Sequence, residues 1–594
     1  MTAAEITLQY ERRLSEVQAG LAQARAHHAL AGGLLAIAVA ALLLLGWQAV
    51  RKQGSWWRPI AVAPMALGAA GFYRKYHHAV NRLWRVQNFN ERALRRVHGD
   101  WAGDTGGEEF LDPKHPYARD LNVFGERSLF ERLSIVRTGV GRRGLAEYLL
   151  EAPPVVEIRE RQEAVRELAA QTELRESLAA LGPFESSSSQ WETFTRWLDA
   201  PLVVFPALWR AILPFTSAAA VSLIVGGLLG IVPWIAVAGC LVPLLALHSI
   251  GGLLFRKRVL RLMERLHLLS AEVQVIREGL GLVENRQFES AKLRRISEQV
   301  RGARAAVRRL ERLLTAFRER TKDWFYLPSL MLAAGTQLSM AVEEWRAAHG
   351  EALRVWLAAW AEFEALNALA CYAYENPGHT FPEICEGAAS FEAHAAAHPL
   401  LPQDGCVAND ISFNARSRFY IVSGSNMSGK STLLRTIGLN AVLALAGAPV
   451  RAAKLTLSRV RLCASLAPAE SLADGKSRFL AEVERLQQAI RLAESGVPVL
   501  FLVDEIFSGT NSSDRRVAAE AVVRTLIDRG AIGAISTHDL ALSEIAACDG
   551  VAGVNVHMGS REGIGPMDFD YLLKPGGTTE ANGLAIARMA GVPV

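Results

Sequence analysis

The chain lacks the cysteine patterns of secreted and zinc-binding proteins. Its six cysteines are scattered singly among 594 residues, with no CxxC pair and no Cys/His cluster at zinc spacing. This excludes a disulfide-built scaffold and favours reduced thiols in a reducing compartment. A signal peptide is also missing, because residues 1–28 are polar and the first apolar run begins only near Ala29. We interpret that run as a membrane anchor that is retained.

The chain has little excess of either charge. With 65 Lys and Arg against 60 Asp and Glu, the net charge of +5 says nothing about nucleic acid by itself. Half of the residues are hydrophobic, and the mean hydropathy is slightly positive at +0.14. Because soluble enzymes usually have a mean hydropathy a little below zero, some of this apolar mass is expected in lipid. The length predicts several domains.

Charge is absent from two long stretches. Residues 29–50 are uncharged and, as a helix of about 33 Å, are long enough for a bilayer core. Residues 59–73 are apolar but shorter, and we interpret them as an interfacial or short-spanning return leg, so that 29–73 forms a first transmembrane hairpin. Residues 211–255 contain no Asp, Glu, Lys or Arg, and Pro233 lies where a turn would divide them into two spans.

The charges beside these stretches predict an orientation. Arg210 precedes the second apolar block and Arg256, Lys257 and Arg258 follow it, which places both of its ends in the cytoplasm. The prediction is a multi-pass protein of the cytoplasmic membrane with its C-terminal domain in the cytoplasm. The alternative is that these runs are buried core helices, and it has more force for 59–73 than for 211–255.

A basic segment follows the second block, within a region (256 to about 370) of helical pattern. Residues 292–322 form a basic helix in this interpretation, which would follow a phosphate backbone or an anionic lipid surface. Three glutamates interrupt it, which favours a solvated helical face instead. Its basic residues are Lys292, Arg294, Arg295, Arg301, Arg304, Arg308, Arg309, Arg312, Arg318, Arg320 and Lys322.

The pattern changes again near the C-terminus. Residues 372–400 hold prolines, glycines and histidines and are interpreted as a linker into a new domain. After about residue 400, short β-rich runs such as 419–423 and 499–503 alternate with helical stretches. This alternation predicts an α/β domain with a largely parallel sheet.

That domain carries a phosphate-binding motif. The run GSNMSGKS fits G-x-x-x-x-G-K-S/T and lies between a predicted strand and a predicted helix. Its glycines let consecutive amides point at phosphate oxygens, with the helix N-terminus adding positive charge. Lys430 would reach the β- and γ-phosphates, and Ser431 would bind Mg²⁺. The predicted ATP-binding residues are Gly424, Ser425, Asn426, Met427, Ser428, Gly429, Lys430, Ser431 and Thr432.

Downstream residues complete a candidate catalytic site. An apolar strand ends in Asp504, a second Mg²⁺ ligand, and Glu505, which would orient and polarise the attacking water. His538 follows the next predicted strand and would sense the γ-phosphate, although a lone histidine is often structural. Ser477 lies in a glycine-containing turn before a helix and would face a γ-phosphate across a dimer interface.

These segments together resemble the MutS mismatch-repair family. GSNMSGKST resembles its GPNMxGKST loop, with Ser425 in place of proline, and LVDEIFSGTNSSDR resembles DEIGRGTSTxDG. STHD is similar to (A/S)THY, LADGKSRFLAEVERL to the ABC-type signature LxxGxSTFxxEM, and NGLAIARMAGVP to YGLxVAxLAGxP. With less force, residues 129–150 resemble the entry of the family's core domain. The resemblance implies an α/β P-loop NTPase of the ABC type at the C-terminus, preceded by a mostly α-helical core and lever region. The uncharged stretches add two transmembrane hairpins to this helical region.

The departures from the family shape the functional prediction. The mismatch-reading and connector domains are not recognisable, and the helix-turn-helix that follows the family's last motif is not expected here. We predict an ATP- and Mg²⁺-dependent ATPase that acts as a homodimer with composite sites. Its cycle would move the lever helices and, through them, the membrane hairpins or an unknown protein partner. Alternatives are a DNA-binding mismatch repair or recombination protein at the membrane, using residues 292–322, and a transporter of the ABC kind.

The predicted domain layout follows from these boundaries. It consists of a cytosolic helix (1–28), transmembrane hairpin 1 (29–73), a helical core-like region (74–210), transmembrane hairpin 2 (211–255), lever helices (256–390) and the ATPase domain (391–594).

Overall fold

A computed structural model describes most of the chain as two compact units. The described residues are 2–51, 57–103, 106–182, 188–266, 270–320, 326–425, 427–466, 478–507, 511–548, 550–560 and 568–577. One unit comprises Met1–Ile135, Leu145–Ala180 and Leu366–Val594, and the other comprises Val136–Gly144 and Leu181–Ala365. Each unit has its own hydrophobic core.

Helices dominate the described chain before residue 376. They are α1 (Ala3–Val50), α2 (Trp57–Val97), α3 (Leu129–Leu133), α4 (Gly139–Leu150), α5 (Val155–Ala169), α6 (Thr172–Ala179), α7 (Ser188–Asp199), α8 (Ala207–Leu228), α9 (Trp234–Leu266), α10 (Ser270–Glu284), α11 (Ala291–Gln299), α12 (Ala303–Arg320), α13 (Tyr326–Met331) and α14 (Ala334–Glu375). A short 3-10 helix covers Glu108–Phe110.

Strands and helices alternate after that point. The strands are β1 (Glu383–Cys385), β2 (Phe391–Ala396), β3 (Asn409–Phe413), β4 (Phe419–Ser423), β5 (Lys454–Ser458), β6 (Arg461–Ser465), β7 (Val499–Asp504), β8 (Ile532–Thr537), β9 (Gly553–His557) and β10 (Lys574–Pro575). The helices are α15 (Lys430–Ala446), α16 (Arg478–Ala493) and α17 (Ser512–Asp528), with a 3-10 helix at Leu540–Ala547. The segment 372–400, interpreted as a linker, therefore contains the end of α14 and two strands.

Three described helices are long and apolar enough to cross a membrane. They are α1, α8 and the part of α9 from Trp234 to Leu260. The polar residues 3–28 and the apolar residues 29–50 belong to one continuous helix, α1, which is capped by a capping box at Thr2. The helix that contains residues 59–73, α2, is not among these candidates. It packs along α1, as the burial of Ile6 and Ala93 in a shared cluster illustrates.

The basic residues 292–322 do not form a single helix, so that prediction is wrong in this respect. Helix α11 ends at Gln299 and α12 begins at Ala303, because Gly302 adopts a left-handed φ of +79° that breaks the helix. Lys292 is buried, and its Nζ lies 2.5 Å from a carboxylate oxygen of Glu362. The basic surface is therefore split, and one of its predicted members lies in the interior.

The first unit contains a buried ion pair between α2 and the end of α14. Arg96 donates from Nη2 to Oε1 of Glu375 at 2.6 Å and from Nε to Oε2 at 2.8 Å. Tyr10 of α1 donates to the same carboxylate at 3.4 Å, and Cys371 donates at 3.3 Å. Coulombic attraction and hydrogen bonding from Glu375 outweigh burial and raise the pKa of Arg96. This cluster joins three helices through fully buried charges.

The second unit contains two buried carboxyl groups at the start of α4. Glu364 accepts hydrogen bonds from the Arg137 amide at 2.7 Å and from the Thr138 hydroxyl, and Glu272 accepts from the Gly139 amide at 2.8 Å. They therefore satisfy amides at a helix N-terminus that lack intrahelical partners. Burial raises the pKa of each of these two glutamates to about 7.

The α/β region contains two sheets. The larger has the strand order β10-β9-β4-β8-β7-β6, and its strands from β9 to β6 pair in parallel. The smaller has the order β1-β5-β2-β3. Strand β4 is buried along its whole length, as expected for a central parallel strand covered on both faces. The predicted α/β pattern with a largely parallel sheet is present here.

Candidate functional site

Three neighbouring strands bring the candidate residues to one edge of the larger sheet. In the parallel register, Ser423 at the end of β4 pairs with Thr537 of β8, and Asp504 at the end of β7 pairs with Ser536. The carboxyl ends of parallel strands form the usual position for ligand binding in open α/β sheets. The loops that follow β4, β7 and β8 therefore meet at the same edge.

The loop after β4 has a backbone that two glycines make possible. Gly429 has a φ of +98°, and Gly424 lies so close to the Met558 carbonyl that a Cβ would come within 2.4 Å of its oxygen. Met427 also has a positive φ, at +75°, and its side chain is 71% exposed. Ser428 is fully buried beneath the loop. Helix α15 starts immediately afterwards, so its N-terminus faces the space enclosed by the loop.

Lys430, the first residue of α15, lies inside this arrangement. Its Nζ donates to the carbonyl oxygens of Gly424 and Ser425, both at 2.8 Å. Burial lowers the pKa of Lys430, while Asp504 and Glu505 act in the opposite direction. The ammonium group is thus held close to the two carboxylates at the end of β7.

Ser431 and Asp504 present a set of oxygen ligands. Ser431 donates from Oγ to Oδ2 of Asp504 at 2.5 Å, and Ser536 donates from its hydroxyl to Oδ1. In the described part of the chain, no group of three or more His, Cys, Asp or Glu side chains is arranged to hold a metal ion by itself. A hydroxyl with one carboxylate instead suits Mg²⁺, which keeps several waters and takes further ligands from substrate phosphates.

Glu505 and His538 contact each other across the ends of β7 and β8. The Nδ1 atom of His538 lies 3.1 Å from Oε1 of Glu505, and the Glu505 amide donates to the Ser536 carbonyl at 3.0 Å. Glu505 has a φ of +55° and Phe507 a φ of +54°, both left-handed. The Phe507 amide donates to the carboxylate of Glu482 in α16. This backbone turns the Glu505 side chain away from the direction that Asp504 takes.

A cavity of about 550 Å³ joins most of these residues. Seven predicted site residues line it: Met427, Gly429, Lys430, Ser431, Thr432, Asp504 and Glu505. Gly424 and Ser425 are connected to the cavity because their carbonyl oxygens accept hydrogen bonds from Lys430. His538 is connected to it by its hydrogen bond with Glu505. Asn426 and Ser477 lie outside the described residues. The motif residues thus converge on one cavity that faces the N-terminus of α15.

The opposite wall of the cavity was not anticipated from the sequence. It is formed by His398, Leu401, Cys406, Val407, Met558 and Tyr571. Burial, with Arg435 and Arg451 nearby, lowers the pKa of His398 to about 4, so the imidazole is neutral at neutral pH. These residues come from separate segments and share no motif. Only the fold shows that they line the same cavity as Lys430.

Comparison with known proteins relates the C-terminal region to one protein family. Residues 420–594 match the family described as MutS domain V. The protein named DNA mismatch repair protein MutS 2 of Halobacterium salinarum is 32% identical over 234 residues, which cover 39% of this chain and 27% of that protein. The DNA mismatch repair protein MutS of Thermus thermophilus is 30% identical over 283 residues, covering 47% and 33%. That of Lactobacillus delbrueckii subsp. bulgaricus is 32% identical over 203 residues, covering 34% and 23%. The chain thus spans a third or less of these relatives.

Proposed function

We propose that this chain, which belongs to the MutS family through its C-terminal domain V, binds Mg²⁺-ATP in the cavity at α15 and hydrolyses it. The observation that carries the proposal is the convergence of Lys430, Ser431 and Asp504 at one end of that cavity. An ammonium group, a hydroxyl and a carboxylate that line one cavity suit a triphosphate with its Mg²⁺. The ATPase activity is a general property of MutS proteins.

Each residue has a separate part in the proposed reaction. The loop amides and Lys430 bind and neutralise the β- and γ-phosphates. Ser431 and Asp504 hold Mg²⁺, which supplies charge neutralisation on the transferring phosphoryl group when it is bound. Glu505 orients the attacking water and accepts its proton, and His538, 3.1 Å away, fixes the Glu505 carboxylate in position.

The reaction is proposed to take place in a homodimer. Ser477, by resemblance to the signature region of the family, would face the nucleotide of the partner subunit. Helix α16 begins at Arg478, immediately after this residue, and its Glu482 accepts the Phe507 amide close to Glu505. Helix α16 is therefore tied by a hydrogen bond to the segment that follows Glu505 in the same subunit.

Replacement of one carboxylate tests the catalytic assignment. Glu505→Gln removes the proton acceptor but keeps the size of the side chain, so ATP should still bind while turnover falls by about 10²–10⁴-fold. The binding of a fluorescent ATP analogue and the steady-state release of phosphate measure the two steps separately. Glu494→Gln, which changes an exposed carboxylate, is the matched control and should behave as the unchanged protein. Wild-type turnover in Glu505→Gln would refute the assignment.

The membrane is the proposed location of this ATPase. Helices α1, α8 and α9 are the three candidate spans, and large apolar side chains such as Ile37, Leu43, Phe215 and Ile235 are each more than two-thirds exposed. A surface this apolar marks contact with lipid or with another protein. With the positive residues that flank α8 and α9, it favours a multi-pass anchor with the ATPase domain in the cytoplasm, the short leg 59–73 lying at or in the membrane.

Fractionation of native membranes tests the anchor. We expect the protein to stay with the membrane after alkaline carbonate washing and to be released only by detergent, because burial of two or more apolar helices is effectively irreversible. Recovery in the carbonate supernatant would refute the anchor and leave the ATPase assignment intact.

DNA binding is the second candidate function. The relatives are named as DNA mismatch repair proteins, and Arg301, Arg308, Arg309 and Arg312 are exposed at and along α12. If this surface follows the phosphate backbone, exchange of Arg308, Arg309 and Arg312 for glutamate should abolish binding to DNA at low salt. Binding by the unchanged protein should fall steeply as the salt concentration increases. Arg416→Glu, at an exposed position elsewhere, is the control. Failure of the unchanged protein to bind DNA at low salt would exclude this function.

A further inference from the structure

We infer that the corner between α13 and α14, residues 326–340, is inserted into the cytoplasmic leaflet of the bilayer beside α8 and α9. The inference rests on the proposed membrane anchor and extends it, because neither α13 nor α14 is a candidate span. The corner would be a re-entrant segment, which enters the lipid and leaves on the same side. Such segments are tolerated where their polar groups are satisfied by protein.

Direct contacts connect the corner with α8. The Gln337 side chain donates from Nε2 to Oγ of Ser217 at 2.9 Å and to the carbonyl oxygen of Leu213 at 3.4 Å. Ala333 and Met340 belong to the same buried cluster as Leu213. The first turn of α14 is thus fixed to α8 by both hydrogen bonds and apolar packing.

These contacts lie at a depth that can be estimated from the flanking charges. Ser217 follows Arg210 by seven residues, which places it about 10 Å along α8 from the last charged residue. On α9, His248 precedes Arg256 by eight residues, about 12 Å, and its Nε2 lies 2.8 Å from Oγ1 of Thr216. If α8 and α9 span the bilayer, the corner therefore lies below the headgroups.

The composition of the corner suits this environment. Residues 324–342 contain no Asp, Glu, Lys or Arg. The hydroxyl of Ser339 donates to the Gly335 carbonyl at 2.7 Å, and Gln337 donates to the Leu332 carbonyl at 2.6 Å in addition to its bonds to α8. Polar groups in lipid need such internal partners because no water is available. The apolar residue Leu330 is 38% exposed at the surface.

The backbone and Arg320 give the corner its shape. Ala333 has a left-handed φ of +44°, so the chain turns sharply between α13 and α14. Arg320, at the end of α12, donates from Nε to the Ser329 hydroxyl at 2.9 Å. Its guanidinium packs against Gly335, where a Cβ would lie 2.6 Å from Cζ. An arginine at this point, with a long aliphatic stem, suits the boundary between lipid tails and headgroups.

Spin-label accessibility in lipid vesicles tests the inference. Single cysteines are introduced by Leu330→Cys in the corner, Phe215→Cys on α8 and Val355→Cys in the later part of α14, where Val355 is 48% exposed. The background protein has the four accessible native cysteines, Cys240, Cys385, Cys406 and Cys548, replaced by serine. Accessibility to oxygen, which partitions into lipid, is compared with accessibility to a water-soluble nickel chelate. Met331→Cys is the second corner position if Leu330→Cys does not fold.

We expect the oxygen-to-nickel ratio to be several-fold higher at 215 and at 330 than at 355. A high ratio at 215 with a low ratio at 330 and 331 would overturn the re-entrant corner while leaving the membrane anchor intact. Low ratios at 215 and 330 together would overturn the proposed anchor itself. A label at 330 that neither oxygen nor nickel reaches would also overturn the inference, since it would indicate a protein partner in place of lipid.

Discussion

Charged side chains gather in two kinds of place in this protein, and they are satisfied in different ways. At the cavity beside α15, Lys430 donates to carbonyl oxygens of its own loop, and Asp504 accepts bonds from two hydroxyls. In the helical interior, Arg96 and Glu375 satisfy each other through two direct bonds between their ionised groups. The hydrogen bonds described for Lys430 and Asp504 thus go to neutral groups, although the ammonium group also lies near the Asp504 and Glu505 carboxylates. The interior charges, in contrast, bond directly to each other.

We interpret the difference as one between charges that would bind the proposed ligand and charges that stabilise the fold. A carbonyl or hydroxyl partner is exchanged readily for a phosphate oxygen or a metal ion, because no opposite charge has to be separated. A buried ion pair gives little net stability, but removal of one partner leaves an unpaired charge in the interior at a high cost. Substitutions in the first group should therefore affect turnover and leave folding unchanged, and substitutions in the second should do the reverse.

The largest expected effect is that of Lys430→Ala. Loss of the ammonium group should reduce ATP turnover by about 10³-fold, equivalent to about 4 kcal/mol, because no other described cation lines the cavity to neutralise the γ-phosphate. Steady-state phosphate release measures the loss. The thermal midpoint without nucleotide should stay within a few degrees of the unchanged protein. A large fall in that midpoint would place Lys430 with the architectural charges and break the comparison.

The next effect is that of Arg96→Met, which should lower the free energy of unfolding by about 3–4 kcal/mol because it leaves the Glu375 carboxylate buried without its cation. Urea denaturation of the detergent-solubilised protein measures this change. The double variant Arg96→Met, Glu375→Met removes both charges and should recover most of the lost stability. If the double variant were no more stable than the single one, the ion pair would not explain the loss.

A smaller effect is expected from pH, through Glu272 and Glu364. Burial raises the pKa of both to about 7, so the folded protein holds protons that the unfolded chain releases near its ordinary pKa. Their contribution to stability is fully present below pH 4.5 and is lost as the pH rises to about 7 and slightly beyond. Between pH 5.5 and 8 we expect a loss of about 1–3 kcal/mol in the unit that contains them.

Neutral isosteres separate this effect from other titrations. The double variant Glu272→Gln, Glu364→Gln should show a flatter dependence of the urea midpoint on pH. The introduced glutamine amides can still accept the hydrogen bonds of the Arg137 amide and the Thr138 hydroxyl. Hydrogen exchange of the amides in α4 gives a local measure of the same change. An unchanged pH dependence in the double variant would show that other groups cause it.

The smallest effect is that of His538→Ala, which should reduce turnover by about tenfold, or about 1.4 kcal/mol. Among the site residues that the structure describes, His538 hydrogen-bonds only to the Glu505 carboxylate, so its loss should disorder that carboxylate without removing it. In the Glu505→Gln background, His538→Ala should therefore have almost no further effect. A full additional tenfold loss in that background would indicate an independent role for the imidazole.

Sequence patterns predicted the strand, the loop and the helix around the phosphate-binding motif because this geometry is local. The motif GSNMSGKS predicts a strand, a loop and a helix, and the structure has β4, the loop and α15 at these positions. Parallel strands then bring Asp504 to the same edge without further information. The remaining wall of the cavity could not be predicted, since His398 and Tyr571 come close only through the tertiary fold.

The structure of the helical region was harder to predict because composition does not show where a helix breaks or which side chains are buried. The basic content of 292–322 was correct, but a left-handed Gly302 divides the helix and Lys292 turns inward. The corner at α13 and α14 was missed because Pro328 and the polar Ser329, Thr336 and Gln337 reduce the apolar signal below that of a span. Its relation to α8 depends on side-chain contacts that no periodicity reveals.

The left-handed backbone at Glu505 and Phe507 makes the orientation of the Glu505 carboxylate conditional on a neighbouring helix. Each such residue costs on the order of 1 kcal/mol or more, so the conformation persists only while something holds it. One described holder is Glu482 of α16, which accepts the Phe507 amide. A displacement of α16 would release this bond and allow residues 505–507 to relax to an ordinary backbone. The rate of hydrogen exchange at the Phe507 amide would then report whether residues 505–507 hold the backbone conformation that is proposed for hydrolysis.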